Sequence, residues 1–244
     1  MADLRRTPSL QHAVWLIKSN VEDTVVEMRK LDAARITISL NPARQALKLL
    51  MQGHDVEWIV RQFSLLSYKK NIKPNTDVVR TFAPYAAEKS VEWFREFRPA
   101  SYRIGRGVFI PVQPSGYWSE GGRLHVLWAQ CWKGRTLDPL QLAILNTILL
   151  DSVLVDDFRG AEFEWLDLCE VIPKKGRERH VTYGDQIGTV TEAELKTYLD
   201  ILLTAFEQFS AEKAARKAAE KAEKRKIIDP SDLPLFKEPP SDPV

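Results

Sequence analysis

The sequence predicts an α+β fold: a mixed β-sheet, covered by a helical N-terminal half and closed by a C-terminal helix. Three observations carry that expectation. Apolar residues recur at helical spacing through most of residues 1–98. Between Tyr102 and about Val171, two strand-like runs, a helix-like run and a third strand follow one another. A Thr-headed capping box then opens a last helix.

Taken in order, Leu10, Val14, Leu16, Ile17, Val21, Val25, Val26 and Met28 keep helical spacing, with Ser9 as N-cap candidate. Residues 36–40 read as a short strand, cut off at Asn41-Pro42, where proline sits pre-set for a first helical turn. That helix carries Ala43, Ala46, Leu47, Leu49 and Leu50 and closes at Gly53. Asp55 caps the next, through Val56, Ile59, Val60 and Phe63. Residues 68–75 form a polar, basic loop. Thr76 or Asp77 then restarts a helix through Val78, Val79 and Phe82, bent at Pro84 and ending near Phe97.

The first strand-like run, residues 103–112, is β-branched and aromatic; Pro111 and Pro114 stop it, and Ser115-Gly116 and Glu120-Gly121-Gly122 read as turns. The second, residues 123–133, is apolar on both faces, with Leu124, Val126, Trp128 and Trp132 opposite Leu127, Ala129 and Cys131. Such a strand is central and covered on both sides. Gly134 breaks it, and Asp138-Pro139 opens a helix through Leu140, Ile144, Leu145, Ile148 and Leu149. The third run, residues 161–172, sets Glu162 and Glu164 against Phe163 and Trp165, a strand with one wet face at its start. A charged turn over 174–179, a strand over 180–183, and a helix from Thr191 through Leu195, Leu199, Leu202 and Phe206 complete the core. The expected units are therefore 1–98, mainly helical and packed on the core; 99–210, the α+β core; 211–228, a basic Ala-rich helix; and 229–244, a disordered tail.

Apolar content of 44% and charged content of 28% are those of a globular protein. A net charge of +2 is too small to argue nucleic-acid binding by itself. Cys131 and Cys169 both fall in apolar runs and read as buried, reduced thiols. No apolar stretch follows the first residues, and Leu140 to Leu150 is interrupted by Gln141 and Asn146, so a cytoplasmic protein without membrane contact is expected. His12, His54, His125 and His180 have no metal-ligand spacing, and no Gly-rich phosphate loop or Ser nucleophile elbow is present.

Lys133-Gly134-Arg135, followed by Gln141-Leu-Ala-Ile-Leu145 on the next helix, resembles the end of the RecB-like branch of the PD-(D/E)XK nucleases. In that family a strand carries acid-x-Lys, a turn follows, and a helix carries Gln-x-x-x-Tyr. The resemblance covers about residues 103–202 and implies a restriction-endonuclease-like fold, with Lys133 and Gln141 at the family's lysine and glutamine. Cys131 stands where the family has a carboxylate, and Leu145 where it has the tyrosine. No aspartate lies between Tyr102 and Pro114, where another metal ligand would be expected. A hard cation such as Mg²⁺ needs oxygen ligands, so the resemblance implies a scaffold that has lost its metal site.

Lys69, Lys70 and Lys73 in the basic loop, with Lys133 and Arg135, are the candidate phosphate contacts; the alternative is a solvated loop. Glu162 and Glu164 share one strand face and are candidate cation ligands, against a plain solvated edge. Residues 211–226 contain only Ala, Lys, Arg and Glu, seven basic against three acidic, and read as a helix extending into solvent. Beyond it the chain is proline-rich, with one apolar island at Asp232-Leu233-Pro234-Leu235-Phe236. The island resembles the bacterial sliding-clamp-binding peptide, with Asp232 as polar contact and Leu233, Leu235 and Phe236 as anchors. Docking on its own domain, or no role, are the alternatives.

The leading expectation is thus a catalytically degenerate nuclease-like protein of DNA metabolism or defence, tethered to the sliding clamp and needing no cofactor. A non-enzymatic interaction module is the second. An active nuclease using Mg²⁺ on the 156–167 acids is the third.

Overall fold

The computed structural model describes residues 8–34, 38–170, 172 and 175–226. In chain order come helices α1 (Leu10–Leu16), α2 (Val21–Ala33), α3 (Asn41–Met51), α4 (Val56–Gln62) and α5 (Ile72–Ala87). Strands β1 (Trp93–Arg95), β2 (Ala100–Gly105), β3 (Val108–Val112), β4 (Gly116–Glu120) and β5 (Arg123–Gln130) follow. Then come α6 (Pro139–Ser152), β6 (Glu162–Asp167), β7 (His180–Tyr183) and α7 (Glu192–Lys226).

The fold is α+β. Five strands make one mixed sheet in the order β1-β4-β5-β6-β7, and β2 and β3 form a hairpin apart from it. β5 and β6 run parallel, joined by α6; their neighbours are antiparallel. A parallel pair cannot be closed by a tight turn, so the chain has to cross over the sheet, and α6 is that crossover.

Helices cover both faces. Helices α1, α2, α6 and α7, with the hairpin, pack on Val126, Trp128, Phe163 and Trp165. Helices α3 to α5 pack on Phe94, Trp118, Leu127, Ala129 and Leu166. β5 is buried from His125 to Gln130, as the doubly apolar run requires. α6 is held at its start by a capping box, Asp138 with Gln141, and buries Ile144, Leu145, Ile148 and Leu149.

Several elements depart from the sequence reading. The first helical run is two helices: Asn20 accepts the Asp23 N–H and caps α2, a local bond that wins over continuous apolar spacing. The basic loop is largely helical, a 3-10 turn at Lys69–Asn71 leading into α5, where Pro74 falls in the first turn and costs no hydrogen bond. α5 ends at Ala87, and Trp93–Arg95 is an edge strand. Residues 103–112 fold back on themselves through Arg106 (φ 47°) and Gly107 (φ 75°) rather than joining the main sheet.

Gly116 belongs to β4 instead of a turn: a Cβ there would sit 2.1 Å from the Phe94 ring, so the β1–β4 pair needs glycine. Residues 38–40 are not a strand; Ile36 and Thr37 lie outside the described residues. The third strand stops at Asp167, with one bridge, Lys133 to Glu170, prolonging the parallel pair. Among the described residues no helix is long and apolar enough to cross a membrane.

Candidate functional site

A cleft of about 990 Å³ opens beyond the C-terminal end of β5, where parallel strand pairs commonly place ligands. Among the described residues, six basic side chains line it, Arg44, Lys70, Lys73, Lys133, Arg135 and Arg177, against two carboxylates, Asp77 and Glu170. The chain as a whole carries only +2, so positive charge is gathered here.

Each wall is built locally. Asn75 is fully buried; its Oδ1 accepts from Ala43 N–H at 2.8 Å, and its Nδ2 donates to the Ser39 and Asn71 carbonyls at 2.8 and 2.7 Å. That one amide ties the start of α3 to the start of α5, setting Arg44 beside Lys70 and Lys73. The opposite wall is the exit of β5. Gly134 (φ 75°) turns the chain there and donates to the Glu170 carbonyl at 2.6 Å. Arg177 Nη1 donates to the carbonyls of Cys131, Trp132 and Leu168 at 3.0, 3.2 and 2.6 Å, gathering the ends of both parallel strands. The Arg135 guanidinium lies 3.9 Å from the Trp15 ring centre and 4.7 Å from that of Trp132.

His12 also lines the cleft. Its Nδ1 is 2.8 Å from Ser9 Oγ and its ring is 4.8 Å from Trp132. Burial first, then the charges of Arg135 and Arg44, push the imidazole down to about 4, so it is neutral at neutral pH.

The fold thus brings together Lys70, Lys73, Lys133 and Arg135, four of the basic residues singled out from the sequence. Lys69 is not among them; its Nζ donates to the Ser64 carbonyl at 2.8 Å. Gln141 is not either: its side chain closes the α6 capping box, and its Nε2 donates to the Trp15 carbonyl at 3.0 Å. No local pattern marks His12, Arg44 or Arg177, which come from three segments distant in sequence. Asp232, Leu233, Leu235 and Phe236 lie outside the described residues.

Glu162 and Glu164 sit at the other end of β5, facing His125; Glu162 is half-exposed, as the expected wet face requires, and Glu164 corrects that expectation. Glu164 has no exposed surface. Its carboxylate accepts from Tyr85 Oη at 2.8 Å and from Lys89 Nζ at 2.8 and 2.9 Å, with His125 Nδ1 at 3.2 Å. Glu162 is bonded to Arg123 at 3.1 Å. The cation that Glu164 holds is a lysine of the chain itself. Strand alternation set the shared direction of the two acids, but α5 covers that side.

The cleft's donors do not fit Mg²⁺. Asp77 is paired with Lys73 at 3.0 Å and Glu170 with Lys133 at 3.6 Å. Burial pushes the Cys131 thiol up to about 11, which keeps it neutral and a poor partner for a hard ion. Among the described residues no three His, Cys, Asp or Glu side chains converge as metal ligands.

No protein-family model and no curated protein matches the chain. One solved structure, "Crystal structure of SSO0001", is 8% identical over 75% of this chain and 84% of its own, with a TM-score of 0.31. A likeness of that size carries no argument about fold or activity.

Proposed function

We propose that the protein binds the phosphate backbone of a nucleic acid in this cleft and does not cut it. One observation carries the reading: among the described residues, six basic side chains from four separate segments surround one concavity holding two carboxylates. Guanidinium and ammonium groups in such a groove replace the counterions of a phosphate chain, whose release supplies affinity without regard to sequence. Lys133 lies between β5 and the crossover helix α6, and the RecB-like resemblance read from the sequence is a further ground for the reading. Cys131 in place of a carboxylate supports binding without hydrolysis.

Anisotropy titration of a labelled oligonucleotide against salt tests this. Affinity is expected to fall linearly in log–log form, and Lys70→Glu with Lys133→Glu to weaken binding more than about tenfold and flatten the slope by about two. Plasmid incubated with the protein and Mg²⁺ or Mn²⁺ should stay intact. A flat salt response, or no binding, removes the reading; digestion removes its second half.

A further inference from the structure

We propose that His12 takes up a proton when a phosphate chain occupies the cleft, so that the cleft binds more tightly as the solution becomes acidic. This rests on the function proposed for the cleft, which supplies the nature of the anion.

The geometry gives three reasons. First, His12 faces the cleft from α1 and packs on Trp132, the same indole that carries Arg135. A phosphate chain drawn to that guanidinium occupies the same cleft that the imidazole lines. Second, within the protein itself the charges that act on His12 are those of Arg135, from the exit of β5, and Arg44, from α3, and both lower its pKa. Lys70 and Lys73 on the α5 side and Lys133 and Arg177 on the strand side add to them, while Asp77 and Glu170 are the carboxylates of the cleft among the described residues. Cations dominate, and they oppose a further positive charge. A bound phosphate chain reverses that balance at short range, where Coulomb energies are largest.

Third, the hydrogen-bond partner of the ring tolerates both states. Ser9 Oγ, 2.8 Å from Nδ1, donates to a neutral ring and accepts from a protonated one by rotating its hydroxyl. Protonation therefore sacrifices no bond. Burial still opposes the charge, which limits how far a bound phosphate chain raises the imidazole.

Linkage then fixes the sign. The bound state holds more protons than the free state between the two imidazole pKa values, so affinity rises as pH falls through that window. Oligothymidylate is a suitable probe, because neither its phosphodiesters nor its bases titrate in the acid range. Its affinity for the wild-type protein should tighten by about tenfold more than for His12→Gln between about pH 7 and about pH 5.5, if occupancy restores the ordinary imidazole value.

A measurement on the wild-type protein guards against a variant that folds poorly. The His12 ring proton, one of four histidine signals, should titrate at higher pH with saturating oligothymidylate than without it. An unmoved titration, or equal pH dependence in the two proteins, overturns the proposal while leaving the nucleic-acid reading intact. No binding by wild type at any pH overturns both.

Discussion

Glu164, itself without exposed surface, accepts from a lysine and a tyrosine and lies 3.2 Å from His125 Nδ1, and the ammonium of Lys89 lies within 6 Å of the Tyr85, Trp118 and Tyr183 rings. Removing one partner strands the other in a low dielectric. Glu164→Leu or Lys89→Met should each destabilise the fold by about 3–5 kcal/mol in urea denaturation, and the two together by less than their sum. Strict additivity would show that the two groups act independently. His12 makes a second claim at this scale. Its folded value, about 4, lies below the ordinary 6.5, so the unfolded chain binds the proton first. Stability should be intact above pH 6.5 and decline toward pH 4, by at most about 3 kcal/mol, and His12→Gln should flatten that decline.

At the scale of elements, α5 links the cleft to the buried acid. Its first turns carry Lys73, Asn75 and Asp77, and its last turn carries Tyr85, with Lys89 just beyond. Asn75→Ala deletes three hydrogen bonds, taking their side-chain partner from the Ala43 N–H and from the Ser39 and Asn71 carbonyls in the wall between α3 and α5. The cost should be about 1–3 kcal/mol by thermal or urea unfolding, with weaker oligonucleotide binding because Arg44 loses its position. α7 behaves otherwise. Its last apolar contact with the core is Phe209, and beyond it Arg29 pairs with Glu212 and Asp32 with Lys213 and Arg216. The basic extension is therefore laid along α2 at its start rather than wholly solvated. Exposed pairs of this kind contribute little. Removing residues 218–244 should leave the unfolding midpoint unchanged; a clear drop would mean that the removed segment packs on the core.

Over the whole molecule, a sheet covered on both faces confines open backbone and charge to its ends. One end, at the start of β5, is filled by the chain's own ion pair. The other, past the end of β5, is left as the basic cleft. This asymmetry explains how a chain of net charge +2 can offer a strongly positive surface.

Much of this fold was legible in the chain itself. Two-sided apolarity marked β5 as central, Asp138-Pro139 marked the start of the crossover helix, and the Thr191 capping box marked α7. Those signals are local: they depend on side-chain period and on bonds spanning three or four residues. The hairpin of β2 and β3, the edge strand β1 and the break before α2 were harder to see, because a turn residue or one asparagine decides them. The site was legible only as scattered lysines. Whether Lys70 and Lys133 share a cleft, and whether Glu164 meets water or a buried lysine, depends on which helix covers which end of the sheet. Contacts between residues far apart along the chain settle that, and no period in the sequence encodes them.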